Sequence, residues 1–124
     1  MLRSVIALSF AVTACAAPPP AAPAGLSLEL AGRAAGAPQR CILIERGEGL
    51  RVAEGDRNML LYGRGGTIWA NRLPQGCTMG SRDVLIVEPI GSQFCRGDLV
   101  RSIDAFSHLP GPACALGDFV PYTH

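Results

Sequence analysis

Lysine is absent from this chain, so all 11 of its basic residues are arginine. No side-chain amine is therefore present for Schiff-base formation or for general-base catalysis by an amine. The chain also lacks an excess of either charge, because 11 arginines stand against 10 Asp and Glu residues and give a net charge of +1. A near-neutral chain has no electrostatic footprint for DNA or RNA, and we predict no nucleic-acid partner.

The motifs of metal sites and of common hydrolases are missing as well. There is no CxxC or HxxxH spacing, and neither His108 nor His124 accompanies the cysteines in a zinc-binding pattern. The sequence contains no GxSxG and no HExxH motif. We therefore predict no metal and no cofactor, and we favour a protein without enzymatic activity.

The first segment has the three parts of an export signal. Arg3 supplies a positive charge, residues 5–14 form an apolar run, and small residues follow that run. The run is shorter than the about 20 residues that span a bilayer. Residues 12–15, VTAC, resemble a bacterial lipobox, which predicts a lipoprotein signal peptide at 1–14 and a lipid on Cys15.

A second cleavage pattern overlaps the first. Ala14-Cys15-Ala16 is an A-x-A site, and cleavage after it would release a soluble periplasmic protein beginning at Ala17. In the lipoprotein interpretation, Ala16 is not the aspartate that favours inner-membrane retention in many lipoproteins. That interpretation implies a lipid anchor in the outer membrane, facing the periplasm.

Residues 15–39 are predicted to be the lipidated cysteine and a Pro/Ala/Gly-rich tether. The prolines of residues 16–25 favour an extended spacer of about 3 Å per residue rather than a helix. Leu26, Leu28 and Leu30 alternate, which leaves a short strand as an alternative there. The folded domain is predicted at residues 40–124.

Four cysteines lie in that domain and are expected to form two disulfides, since export places them in an oxidising compartment. Four cysteines allow three pairings. Because Cys77 and Cys95 flank one apolar strand, we favour Cys77–Cys95 together with Cys41–Cys114.

Short β-forming runs separated by glycine indicate a mainly β domain. The clearest are residues 59–62 and 67–70, which flank a Gly-rich turn typical of a tight hairpin. Residues 83–88, DVLIVE, carry four consecutive aliphatic side chains, which favours a strand covered on both faces or one at the centre of a closed sheet. With no helices to connect parallel strands, we expect a small antiparallel barrel- or sandwich-like domain with two disulfides.

Two groups of side chains are candidates for function. Tyr62 and Trp69 lie on the predicted hairpin, where they could stack on a carbohydrate or peptide or simply pack across the strands. With the nearby polar Asn71 and Arg72 they form the predicted recognition surface.

The second group is His108 as a general base oriented by Asp104 or Asp98. This arrangement would make the protein a small hydrolase, but no nucleophile motif accompanies it. The simpler interpretation is that His108 is an exposed loop residue.

Four blocks of sequence carry a resemblance to a known family. RCI at 40–42, WANRLPQGC at 69–77, QFCRGDLV at 93–100 and CALGDFVPY at 114–122 resemble a family of small exported proteobacterial proteins with four framework cysteines. The resemblance implies one domain built around those cysteines and carries no reaction or cofactor.

Together these features predict a cell-envelope lipoprotein with a non-enzymatic binding or scaffolding domain. Its expected partners are the membrane, through the lipid, and a periplasmic protein or envelope ligand. A small periplasmic hydrolase and a disulfide-rich inhibitor-like module are the alternatives.

Overall fold

The computed structural model describes residues 28–124. After a 3-10 turn at Leu28–Leu30, this part of the chain forms ten strands. They are β1 Ala34–Ala35, β2 Cys41–Leu43, β3 Arg51–Ala53, β4 Asp56–Tyr62, β5 Thr67–Arg72, β6 Val84–Val87, β7 Gln93–Cys95, β8 Leu99–Ile103, β9 Pro110–Ala115 and β10 Phe119–Thr123. No helix within residues 28–124 is long and apolar enough to cross a membrane. The predicted signal peptide and Cys15 lie outside the described residues.

The strands form three antiparallel sheets. One has five strands in the order β1-β10-β5-β4-β3, one pairs β2 with β7, and one has the order β6-β8-β9. The mainly β, antiparallel prediction is confirmed. None of the three sheets in the described part closes on itself, so the packing is sandwich-like rather than a closed barrel.

The predicted hairpin is the centre of the five-stranded sheet. Strands β4 and β5 are joined by the Gly63–Gly66 turn, in which Gly63 and Gly65 have φ angles of 85° and 76°. Residues with a Cβ are disfavoured at such angles, which explains the glycines. The second half of β4, residues 59–62, is buried on both faces, because the sheet has a core on each side.

The larger core lies between the five-stranded sheet and the two smaller sheets. Leu60 and Tyr62 contribute to it from β4, Phe94 from β7 and Val100 from β8. The smaller core lies on the opposite face of β4, where Met59 and Leu61 pack with side chains that include Ile68 and Leu30.

Residues 28–39, part of the predicted tether, contribute to this fold. Leu30 is only 2% exposed in the smaller core, although Leu28–Leu30 forms a 3-10 turn rather than the short strand considered from the alternating leucines. β1 pairs with the last strand, Ala34 opposite Thr123. Residues 15–27 of the predicted tether lie outside the described residues.

The predicted disulfide pairing is wrong, although the four cysteines do form two bonds. Cys41 and Cys95 are joined, as directly opposed residues of β2 and β7 with Cα atoms 4.1 Å apart. Cys77, in the loop after β5, is joined to Cys114 on β9. The prediction assumed that the segment between Cys77 and Cys95 folds on itself, whereas its strand β6 pairs with the later strand β8.

The interpretation of residues 83–88 as a strand covered on both faces is also wrong. β6 is an edge strand, and its side chains alternate between partly buried and exposed. Leu85 and Val87 pack against the larger core, while Val84 and Ile86 are 55% and 43% exposed.

A candidate binding cleft

A concave site lies over the turn end of the β4–β5 hairpin, on the face that carries the larger core. It consists of two adjoining parts of about 380 and 300 Å³. Tyr62, Trp69 and Glu45 line both parts, so they lie where the two meet. We call the two parts together the Trp69 cleft.

The two aromatic residues are placed by strand register. Tyr62 on β4 is directly opposite Trp69 on β5, and Pro121 of β10 is opposite Trp69 on its other side. Side chains opposed in this way lie on the same face of the sheet. Trp69 packs partly against the larger core and is half-buried, so part of its indole remains accessible in the cleft.

Tyr62 is fixed from three directions. It is 4% exposed, its ring packs edge-on against Phe94 with centroids 5.8 Å apart, and its hydroxyl accepts a hydrogen bond of 2.6 Å from the Glu45 N–H. Phe94 is next to Cys95, whose disulfide to Cys41 joins β7 to β2. These contacts hold the segment that carries Glu45 against the hairpin, so the cleft is preformed.

Charged and amide side chains surround the aromatic centre. They are Gln39, Glu45, Glu48, Arg64 and Gln93, together with the hydroxyl-bearing Thr67. The ion pairs found among residues 28–124 involve other residues, so neither carboxylate is neutralised by Arg64. The cleft therefore offers two free carboxylates and one free guanidinium to a ligand.

Of the predicted recognition surface, the structure brings only Tyr62 and Trp69 into this cleft. Asn71 is 0% exposed. Its Nδ2 donates to the Gly117 carbonyl and its Oδ1 accepts from the Gly117 N–H, both at 2.8 Å. Arg72 is exposed and forms an ion pair of 2.9 Å with Asp56. Asn71 and Arg72 thus have structural partners outside the cleft.

Sequence reasoning missed the polar residues of the cleft. Glu45 and Glu48 belong to the glycine-punctuated loop between β2 and β3, and Gln93 begins β7. Nothing in their local sequence links them to the hairpin. Their association depends on the pairing of β2 with β7, in which Leu43 is opposite Gln93.

The predicted acid–base group occupies a different place. Asp104 Oδ1 accepts hydrogen bonds from the N–H groups of Ser107 and Phe106 and from the Ser107 hydroxyl. These bonds, with the Ser107 N–H bond the largest cause, lower the pKa of Asp104 below its usual value. His108 bonds to Asp104 only through the backbone, from its N–H to the Asp104 carbonyl.

Asp98, the other predicted partner of His108, closes a different turn. Its carboxylate accepts the Cys95 N–H at 2.8 Å, and Gly97 between them has a φ of 92°. Neither Asp98 nor His108 lines the Trp69 cleft. The carboxylates of Asp98 and Asp104 thus stabilise turns, and in the described part of the chain neither of them orients the His108 imidazole.

Comparisons with protein-family models, with curated proteins and with solved structures found no match.

Proposed function

We propose that this chain is a lipid-anchored protein of the bacterial cell envelope whose β domain binds a ligand, without catalysis, in the Trp69 cleft. The observation that carries the proposal is the accessible indole of Trp69 beside unpaired carboxylates in a preformed concavity. Ligand sites commonly combine such an aromatic surface with a few placed polar groups.

The anchor is supported by the sequence of the first segment. An apolar run ending in VTAC places Cys15 where a lipid is attached, and the proline-rich residues after it favour a spacer. More than one acyl chain on such a residue gives stable attachment to a bilayer. Outer-membrane attachment facing the periplasm belongs to the same proposal.

Binding rather than catalysis is supported by the positions of the titratable groups. To act as the predicted general base, His108 would have to lie within hydrogen-bonding reach of a substrate in the cleft. His108 lies outside the Trp69 cleft, and the Asp104 carboxylate serves the Ser107 turn. The lining of the cleft contains no histidine, serine or free cysteine, so its carboxylates have no partner there of the Ser–His or Cys–His type.

The experiment is a thermal-shift measurement on the folded, oxidised chain with fractionated envelope glycans, peptides and lipids. A ligand that binds only the native state raises the unfolding temperature, by several degrees at concentrations well above its Kd. We expect one fraction to produce this rise, Trp69→Ala to abolish it, and Phe106→Ala to retain it. Phe106 is a suitable control because it is an aromatic residue, 76% exposed, outside the cleft.

Two results would contradict the proposal. One is a wild-type chain whose unfolding temperature responds to none of the fractions. The other is a rise that Trp69→Ala leaves intact, because the ligand would then bind elsewhere.

A further inference from the structure

We infer that the ligand of the Trp69 cleft is a saccharide, uncharged or bearing an amino group, of at least two sugar rings. The inference rests on the proposed binding function and adds the chemical class of the ligand. It is drawn from the shape of the cleft, from the donors and acceptors along it, and from its charge.

The shape comes from the position of Trp69. Each part of the cleft has a volume at the lower end of the range for small-molecule sites, about 300 to 1,000 Å³, and Trp69 borders both. A pyranose ring presents a face of C–H bonds that stacks on an aromatic plane. Trp69 supplies that plane, while the neighbouring Tyr62 is buried and its hydroxyl accepts the Glu45 N–H. Two linked sugar rings would occupy the two parts with Trp69 between them.

The polar side chains match the hydroxyl groups of a sugar. Each hydroxyl both donates and accepts hydrogen bonds. The cleft offers acceptors on Glu45 and Glu48, donors on Arg64, and both kinds on the amides of Gln39 and Gln93. None of these side chains has a hydrogen-bond partner in the described part of the chain. They are therefore available to a ligand with many hydroxyls.

The charge of the cleft limits which saccharides can bind. Two carboxylates against one guanidinium leave it negative, which opposes uronic acids, phosphates and other anions. Uncharged sugars and amino sugars meet no such repulsion. A purely cationic ligand is the less favoured alternative, because it offers no acceptor to the N–H donors of Arg64, Gln39 and Gln93.

The experiment titrates the full-length chain, in a zwitterionic detergent, with defined probes. They are an N-acetylglucosamine disaccharide, cellobiose, a galacturonic acid disaccharide, arginine methyl ester and a neutral Gly-Ser peptide. Trp69 is the only tryptophan in the chain, so its fluorescence reports on the cleft directly. We expect the two uncharged disaccharides to shift its emission with saturation and the uronic acid to have no effect.

Two kinds of variant separate stacking from charge, with binding measured by calorimetry. Trp69→Ala should weaken the disaccharide by about tenfold or more, the effect of losing an aromatic contact and its buried area. Glu45→Gln and Glu48→Gln retain a carbonyl acceptor and remove the charge. They should therefore change the affinity for uncharged sugars by less than about threefold. The same two variants should abolish any binding of arginine methyl ester. Phe106→Ala is the control and should bind as the wild type does.

The outcomes distinguish this inference from the function on which it rests. If only the peptide or the arginine ester binds, and Trp69→Ala abolishes that binding, the saccharide class is wrong while binding in the cleft stands. Saccharide binding that Trp69→Ala leaves unchanged also overturns the inference. If none of the probes binds and no envelope fraction shifts the unfolding temperature, both proposals fail.

Discussion

The buried amide of Asn71 offers the sharpest test of how the five-stranded sheet is held together. Asn71 lies between Leu60 of β4 and Phe119 of β10 in the strand register, and its side chain makes two hydrogen bonds to the backbone of Gly117 just before β10. Asn71→Ala removes both bonds. It also leaves the Gly117 N–H and carbonyl without these partners.

The expected loss of stability follows from the two hydrogen bonds between Asn71 and Gly117. A neutral hydrogen bond contributes about 1 kcal/mol to stability, and a backbone group left unsatisfied in a buried site costs about 1–3 kcal/mol. Because Gly117 is only partly buried, water recovers part of the loss. We therefore expect Asn71→Ala to lower the free energy of unfolding by about 2 to 3 kcal/mol.

Urea unfolding of the oxidised protein, followed by Trp69 fluorescence and far-ultraviolet circular dichroism, measures this change. Arg72→Ala is the matched control at the next position, and its loss of an exposed ion pair should cost less than about 1 kcal/mol. The structural role of Asn71 would be refuted if Asn71→Ala cost less than about 1 kcal/mol and yet abolished ligand binding. Asn71 would then be a recognition residue, as its sequence context indicated.

A companion substitution, Asn71→Asp, gives a pH dependence of known sign. The introduced carboxyl can still accept the Gly117 N–H, but when ionised it faces the Gly117 carbonyl and loses its solvation. Both effects raise its pKa in the native state. The native state then holds a proton that the unfolded chain releases, so the variant should approach wild-type stability below about pH 4 and lose stability as pH rises.

Two further predictions concern a close contact and the anchor. A methyl group at Gly111 would overlap the Ser102 hydroxyl, which is buried and has no hydrogen-bond partner in the described part of the chain. Gly111→Ala should therefore lower the free energy of unfolding by about 1 to 3 kcal/mol in the wild type and by much less in a Ser102→Ala background. If the two substitutions had additive effects in this double-mutant cycle, the contact would be contradicted. In membrane fractionation, Cys15→Ser should move the protein to the soluble fraction, whereas the control Ala16→Ser should leave it in the membrane fraction. Recovery of the wild type as an unlipidated chain starting at Ala17 would refute the anchor.

The parts of the fold that the sequence predicts well are those set by neighbouring residues. The β4–β5 hairpin is one of them, because Gly63 and Gly65 provide the positive φ angles of its turn. The last strand, Phe119–Thr123, is another, because Phe119, Val120 and Tyr122 are residues that favour strands. In both places the local sequence contains the β-forming residues and the turn signals.

Strand β9, by contrast, was missed because its local sequence argues against a strand. Pro110, Gly111 and Pro112 form a typical turn sequence, yet they begin a strand that, within residues 28–124, lies at a sheet edge and pairs with β8 alone. Proline is tolerated on an edge strand, where an N–H need not be donated. Whether a segment lies at an edge depends on the whole sheet and cannot be inferred from the segment alone.

The candidate site was half-predicted for a related reason. Alternation along β5 places Trp69 and Asn71 on the same face, but only the packing of the Gly117 segment covers Asn71 and leaves Trp69 accessible. The acidic residues of the cleft come from a loop that is brought to the hairpin by the Glu45–Tyr62 hydrogen bond. Strand alternation reports which face a side chain occupies, whereas burial and partners depend on distant parts of the chain.

The edge strand β6 shows how charge can protect an apolar strand that the fold leaves uncovered. An exposed aliphatic edge tends to pair with a second copy of itself. In an antiparallel self-pair centred between Leu85 and Ile86, Asp83 of one copy would lie opposite Glu88 of the other at both ends. Like charges directly opposite each other destabilise a strand pair. The same flanking carboxylates that frame DVLIVE in the sequence thus oppose its self-association, and the apolar run is tolerated at an edge for that reason.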